Sequence, residues 1–312
     1  MKLSNVHNLP QAMVNAMSDF QKPSKNVLRV SELINAPKQK ELRLKHWDEI
    51  EEDVSERLWA LLGNAMHYIL EKGAPDDSFG EERLRAQIDG MIISGQADLW
   101  HMGVIEDYKT TSVNSYTFGL KPEWVAQLNV YRWLWYKSGF KAKALKIHCI
   151  LRDWIRSKAF MDKDYPQIPF VTIDIPMWTI EETEQYIKAR VALHKLRVAP
   201  PCTNEEKWTR PTTYAVMEEG GARAKRVLST MGEANLWLKE NSKWYIVVEK
   251  KETKPLFYVM KHGLVKRKAE YYTLEEAEKY IKDNETLSVV VREGVNVKCA
   301  GYCNVAKFCN CK

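Results

Sequence analysis

The chain has 312 residues, 45% of them apolar and 28% charged, with a formal net charge of +6. That length can bury a sizeable core in more than one domain, and no apolar run is long enough to cross a bilayer, so a membrane-spanning helix is not expected. The mild positive charge suits a polyanionic partner. No secretory apolar region follows Met1-Lys2-Leu3, so the six cysteines are expected in a reducing cytoplasm, where disulfides are rare.

Residues 1–27 lack periodicity and read as an arm. A helix is expected over residues 28–46, with Lys38, Lys40, Arg43 and Lys45 on a solvated face. Asp53-Val54-Ser55-Glu56 has the pattern of a capping box. The helix it would open carries Val54, Leu58, Leu61, Leu62, Ala65 and Ile69 at helical spacing, and stops near Gly73. His67 falls in its last turns, after the small residues Gly63-Asn64-Ala65. Three strands in a meander follow: Arg83–Ile88, Met91–Leu99 and Val104–Lys109. Asp89-Gly90 makes the first turn, and His101-Met102-Gly103 the second. A helix from Pro122 to about Ser138 comes next. Strands at Ala144–Arg152 and Phe170–Ile175 lead to a helix capped at Thr179 and running to about Arg197.

After the break at Ala199-Pro200-Pro201-Cys202, residues 214–250 align with 257–293 at a constant offset of 43. Val216-Met217 matches Val259-Met260, and Gly220 matches Gly263. Thr230, Glu233 and Ala234 match Thr273, Glu276 and Ala277. Each copy reads strand, turn, strand, helix, strand, so the two copies make one small α+β module. Basic turns at Arg223, Lys225 and Arg226, and at Lys261, Lys266, Arg267 and Lys268, could track a phosphate backbone or simply be solvated. The expected domains are an arm (1–27), a core (28–207), the inserted repeat module (208–294) and a C-terminal cysteine clasp (295–312).

The chemistry concentrates at Asp98 and at Asp107-Tyr108-Lys109. Acids on neighbouring strands can share a divalent cation. Lys109 shares a strand face with Asp107, because strand side chains repeat every two residues. A hard cation and an ammonium at one place suit the cutting of a phosphodiester. By spacing alone, the pattern is also that of a solvated strand. Gln127 and Tyr131 lie on one helix face at i and i+4, where the glutamine offers both a donor and an acceptor. Near the C-terminus, Cys299, Cys303 and Cys309 with the distant Cys202 suit a four-thiolate cage, for which zinc and iron–sulfur compete; Cys311 is an alternative to Cys309.

The ordered set Gly63-x-x-x-His67, Gly95-x-x-Asp98, Asp107-x-Lys109 and Gln127-x-x-x-Tyr131 resembles the RecB-like branch of the PD-(D/E)XK nuclease superfamily over residues 28–200. The resemblance implies an α/β fold, a mixed sheet flanked by helices. It implies a Mg- or Mn-dependent DNA exonuclease acting in end processing, recombination, repair or phage replication. His67, Asp98, Asp107 and the Tyr108 carbonyl would be metal ligands. Lys109 would orient or deprotonate the attacking water. Gln127 and Tyr131 would position the scissile phosphate or stack on DNA. Glu81 or Glu82 would be an outer contact.

The cysteine trio resembles that of the iron–sulfur members, including the AddB subunit, CRISPR-associated exonucleases and phage or prophage enzymes. This favours a [4Fe-4S] cluster over structural zinc. In those relatives the distant cysteine precedes the core; here no cysteine precedes Cys149, a core thiol by its strand, so Cys202 takes that place by elimination. The alternatives are a structure-specific endonuclease or RNA nuclease, and a non-cutting DNA-binding recombination accessory protein. A CRISPR adaptation partner has no feature selecting it. No G-x-x-x-x-G-K-[ST] fingerprint occurs, so any unwinding would come from a partner helicase or recombination protein.

Overall fold

The computed structural model describes residues 1–250, 255–262, 264, 266 and 268–310; Cys311, Gly263 and Arg267 lie outside the described residues. The chain divides into two compact units. One is residues 1–207 with the C-terminal residues from Gly301 onward, and the other is Trp208–Ala300.

The first unit is a mixed α/β fold. Its strands are β1 (Val27–Arg29), β2 (Phe79–Gly80), β3 (Arg83–Ile88), β4 (Met91–Gln96), β5 (Leu99–His101), β6 (Val104–Thr111), β7 (Ala144–Leu151) and β8 (Phe170–Asp174). The expected single sheet is divided in two, in the orders β1-β4-β3 and β8-β7-β6-β5-β2. β1 runs parallel to β4 and β6 parallel to β7, while the other pairs are antiparallel. The stretch Met91–Leu99, expected as one strand, breaks at Ala97-Asp98, where the chain passes from one sheet to the other. Asp89 and Gly90 both have positive φ (46° and 73°), as a two-residue hairpin turn requires.

Helix α1 spans Leu58–Lys72, α2 Pro122–Lys137 and α3 Ile180–Lys195. α2 is buried on most of its sides, and Trp124, Leu128, Val130, Trp133, Leu134 and Trp135 are all buried. That is the pattern of a helix at the centre of a fold. It packs with Ile93, Ile105, Leu145, Ile147 and Cys149 in one core. Gly95 makes this possible: a Cβ there would meet Leu134 at 2.6 Å, Val30 at 2.7 Å and Tyr131 at 2.9 Å.

Several local expectations change. Residues 28–46 are not one helix: β1 comes first, then a turn of helix at Val30–Leu33, then Pro37–Lys45. Pro37 stands at the first helical position, where its fixed φ starts a new helix. Asp53 accepts from the Ser55 backbone N–H and opens a 3-10 turn, Val54–Arg57, rather than a capping box. The first residues are not a loose arm. Lys2–Ser4 pairs in parallel with Glu51–Asp53, and Met1 packs on the cluster of Leu42, Trp47, Ile50 and Val305. The apolar face of α1 is not core: Trp59, Leu62, Tyr68 and Ile69 are 61, 40, 63 and 63% exposed. Gly63 faces the sheet, with the nearest atom to an added Cβ at 3.9 Å, so close approach is not what it provides.

The second unit carries the repeat. Copy one is β9 (Thr213–Glu218), β10 (Arg226–Leu228), α4 (Met231–Asn241) and β11 (Trp244–Lys250). Copy two is β12 (Pro255–Lys261), β13 (Ala269–Tyr271), α5 (Leu274–Asn284) and β14 (Leu287–Arg292). The sheets are β10-β9-β14 and β11-β12-β13, so each copy lends its last strand to the hairpin of the other. The register repeats too. Tyr214 opposes Leu228 and Val291, and Phe257 opposes Tyr271 and Val248. Thr230 and Thr273 cap the two helices, accepting from Glu233 and Glu276, and Ala234 and Ala277 are both fully buried. Ser242 Oγ donates to Glu285 Oε2 at 2.5 Å. These are equivalent positions of the two copies, so a pseudo-two-fold axis passes between them.

Candidate active site

The site forms where the two sheets meet. Asp98 occupies the crossover between β4 and β5, and its neighbour strand β6 carries Asp107 and Lys109. Asp98 Oδ2 accepts the Tyr108 backbone N–H at 2.6 Å, which fixes the carboxylate against β6. Its Oδ1 lies 3.0 Å from His67 Nδ1, projecting from the last turns of α1. Glu81 stands before β3 with φ +53°, a left-handed conformation disfavoured for a residue with a Cβ. There its Oε1 lies 3.6 Å from the same His67 nitrogen. The ligand atoms of His67, Glu81 and Asp98 all lie within 4.8 Å of one another, the one such group of three or more His, Cys, Asp or Glu among the described residues.

This set differs from the expected one. Asp107 is fully buried, and its Oδ2 is 2.5 Å from Lys109 Nζ, two residues along the same strand face. The two form a close ion pair. Gln127 Nε2 reaches Asp107 Oδ1 at 3.4 Å and also donates to the Tyr131 hydroxyl at 3.0 Å. Glu81, expected as an outer contact, joins the donor group, while Asp107 stands beside it. Sequence reasoning missed Glu81 as a full member because its aim depends on a left-handed turn residue. The Gly80-Glu81 step just before β3 was the available signal.

Tyr131 is 8% exposed and its ring packs in the core beneath Gly95. Its ring is enclosed rather than presented at the surface, and its hydroxyl accepts from Gln127 Nε2. The Tyr108 side chain points to the opposite sheet face, where its hydroxyl donates to Glu106 Oε2 at 3.1 Å and its ring stacks on His148.

Charge follows from these contacts. Hydrogen bonds to Asp98 and then Glu81 push the His67 imidazole up to about 10, so it carries a proton between two carboxylates. Burial pushes the Asp107 carboxyl up, Lys109 pulls it down, and Asp98 opposes that pull. Burial works against the Lys109 charge, but Asp107 more than offsets it, and the ammonium is held above the ordinary lysine value. Lys109 is therefore a charged group here. One imidazole nitrogen with carboxylate oxygens suits magnesium or manganese, the nitrogen being taken more readily by manganese. Asp107, close by and paired with Lys109, adds a further carboxylate to the same place.

The cysteines are elsewhere. Cys149 is a buried core thiol on β7, as expected. Cys303 and Cys309 are half-buried and pack on Leu42, Trp47, Ile50 and Val305, with Phe308 stacked on His46 at 4.2 Å. The C-terminal segment packs on the region around Pro37–Lys45. The segment before Cys202 reaches that region too, since the Ala199 N–H donates to Glu41 Oε2 at 2.9 Å. Cys202 is half-buried, and Cys299 belongs to the second unit.

No family model matches the chain, and no curated protein matches it. Among solved structures, SSO0001 is 15% identical with a TM-score of 0.43, covering 64% of this chain and 86% of its own. A phage-related exonuclease from Haemophilus somnus 129PT is 18% identical with a TM-score of 0.31, covering 53% of this chain and 90% of its own. No helix among the described residues is long and apolar enough to cross a membrane.

Proposed function

We propose that this chain is a divalent-metal-dependent nuclease that hydrolyses DNA phosphodiesters, working as an exonuclease in end processing, recombination or phage replication. One observation carries the reading: three convergent donors (His67, Glu81 and Asp98) stand beside the buried Asp107–Lys109 pair. His67, Glu81 and Asp98, with Asp107 and the Tyr108 carbonyl, would hold magnesium or manganese. When bound, the cation supplies Lewis acidity toward phosphate and water. The chain's own groups do the rest. Lys109 offers an ammonium where negative charge develops on the phosphate oxygens. Gln127, held by Tyr131, orients Asp107 and has a carbonyl oxygen to spare for a water. Burial of Asp107 keeps these interactions in a low dielectric, where they are strong.

A second reading concerns the cysteines. Cys303 and Cys309 pack on one apolar cluster, and Cys202 follows Ala199, which is tethered to Glu41 of the same region; this supports the reading of a structural [4Fe-4S] cluster. It would tie the C-terminus to the first unit.

The test is digestion of linear and closed circular DNA, labelled at either end, with magnesium or manganese. Terminal products from linear DNA alone fit the proposal and give the polarity. Cutting of closed circles would replace the exonuclease with an endonuclease, and no cutting of either DNA would remove the proposal.

A further inference from the structure

The outer face of the β1-β4-β3 sheet holds a cavity of about 340 Å³ that no catalytic residue lines. Arg29, Ser94 and Arg85 form one row across its three strands, since Arg29 and Arg85 both oppose Ser94. The next row toward the site pairs Arg83 with Gln96. Alternation along the strands puts Arg83, Arg85, Ser94 and Gln96 on the same face, away from the α2 side where Gly95 packs. Three arginines thus line one cavity.

Among the described residues, none of the three has a carboxylate at ion-pair distance. Among the described residues, the arginine ion pairs are Arg57–Glu52 and Arg190–Glu206, and none involves Arg29, Arg83 or Arg85. Glu32 is the one acid lining the cavity, and it is engaged by the Arg29 backbone N–H at 3.1 Å and by Lys40 at 3.6 Å. Arg83 donates to Gln96, a neutral partner, and Gln96 donates on to Glu81 of the donor group. The cavity is therefore joined to the active site by a continuous polar chain. Its volume is about ten times a water's share of liquid, more than a bare oxyanion fills. Planar guanidinium forks match phosphate geometry better than any other side chain.

We propose that this cavity binds a phosphate of the nucleic-acid strand being processed and so sets the strand's position relative to the donor group. That an oxyanion binds there stands alone; that it belongs to a nucleic acid rests on the nuclease reading above. The phosphate can be internal to the backbone or terminal, because both present the same oxygens.

Arg85 is exposed and makes no ion pair among the described residues, so Arg85→Ala tests the cavity without threatening the fold. Anisotropy of labelled oligonucleotides in EDTA measures binding without cleavage. Arg85→Ala is expected to weaken binding about tenfold. The slope of log affinity against log salt should fall by about 0.7 to 0.9. A loss seen only with end-phosphorylated oligonucleotides assigns a terminal phosphate, and an equal loss with all of them assigns an internal one. Unchanged affinity and slope would overturn the proposal and leave the nuclease reading intact. Should the wild type bind no DNA, inorganic phosphate is the probe. A rise in its thermal midpoint that Arg85→Ala abolishes keeps the oxyanion site while removing the nuclease reading. The absence of any rise removes both.

Discussion

Asp98 binds the backbone of Tyr108 with one carboxylate oxygen and the imidazole of His67 with the other, at 2.6 and 3.0 Å. One side chain thus locks the crossover between the sheets and aims the histidine. The two duties separate chemically. An amide oxygen can still accept the Tyr108 N–H, but an amide is a poor ligand and does not hold an imidazolium. Asp98→Asn is expected to lower manganese affinity by about a hundredfold or more, with a thermal midpoint within a few degrees of wild type. Calorimetric titration and a melting scan read the two effects; unchanged manganese affinity would remove Asp98 from the donor group.

Lys109 is the charge that Asp107 needs and that the phosphate is expected to use. Lys109→Gln should reduce the rate of cleavage by about 10² to 10³ while manganese still binds. Some stability is lost as well, since Asp107 is left buried without its counter-charge. Cleavage at the wild-type rate would end the proposed mechanism.

His67 sets a pH dependence. Its imidazole is pushed up to about 10 from an ordinary value of 6.5, so a cation must displace a proton to reach Nδ1. Between those values affinity should rise by about tenfold per pH unit, with about one proton released. Titration calorimetry in buffers of different ionisation enthalpy counts that proton, and a count of zero would contradict the arrangement. In metal-free protein the sign for stability is opposite. The His67 contribution is complete below about 6.5 and is lost as pH rises toward about 10.

Gly95 is where the fold and the site touch. A methyl group there would displace Leu134, Val30 and the Tyr131 ring. Gly95→Ala is expected to cost about 1 to 3 kcal/mol by overpacking. It should also slow cleavage, because Tyr131 carries Gln127 and through it Asp107. Urea midpoints and single-turnover rates measure the pair. A stable variant with normal rates would show that the helix simply moves aside.

Cys303→Ser tests the cluster. Anaerobically purified wild type is expected to be brown and to contain about four irons per chain, and the variant colourless and poorly folded. A colourless, iron-free and fully active wild type would refute it.

Much of this was readable from residue order because strand alternation is a strict rule. Asp107 and Lys109 two apart had to share a face, and Asp89-Gly90 had to turn. The repeat was legible because its copies keep even their pairing register. Other features were not. The stripe Leu58, Leu62, Ala65 and Ile69 shows that one side of α1 is apolar, but periodicity says nothing about what covers it, and in this structure Leu62 and Ile69 are exposed. Glu81 depended on a positive φ that no propensity assigns to glutamate. The split of Met91–Leu99 depended on which sheet each half joins, a long-range choice with no local marker.

The exchange of last strands in the second unit has a consequence for what the repeat can be alone. A single copy has a hairpin, a helix and a strand whose pairing partner is absent, so both its sheet edge and its last strand lack hydrogen bonds. Expressed alone, residues 208–252 could meet those needs only by trading strands with a second molecule. The module is in effect a domain-swapped dimer fused into one chain, with Ser242 and Glu285 meeting where its two halves join.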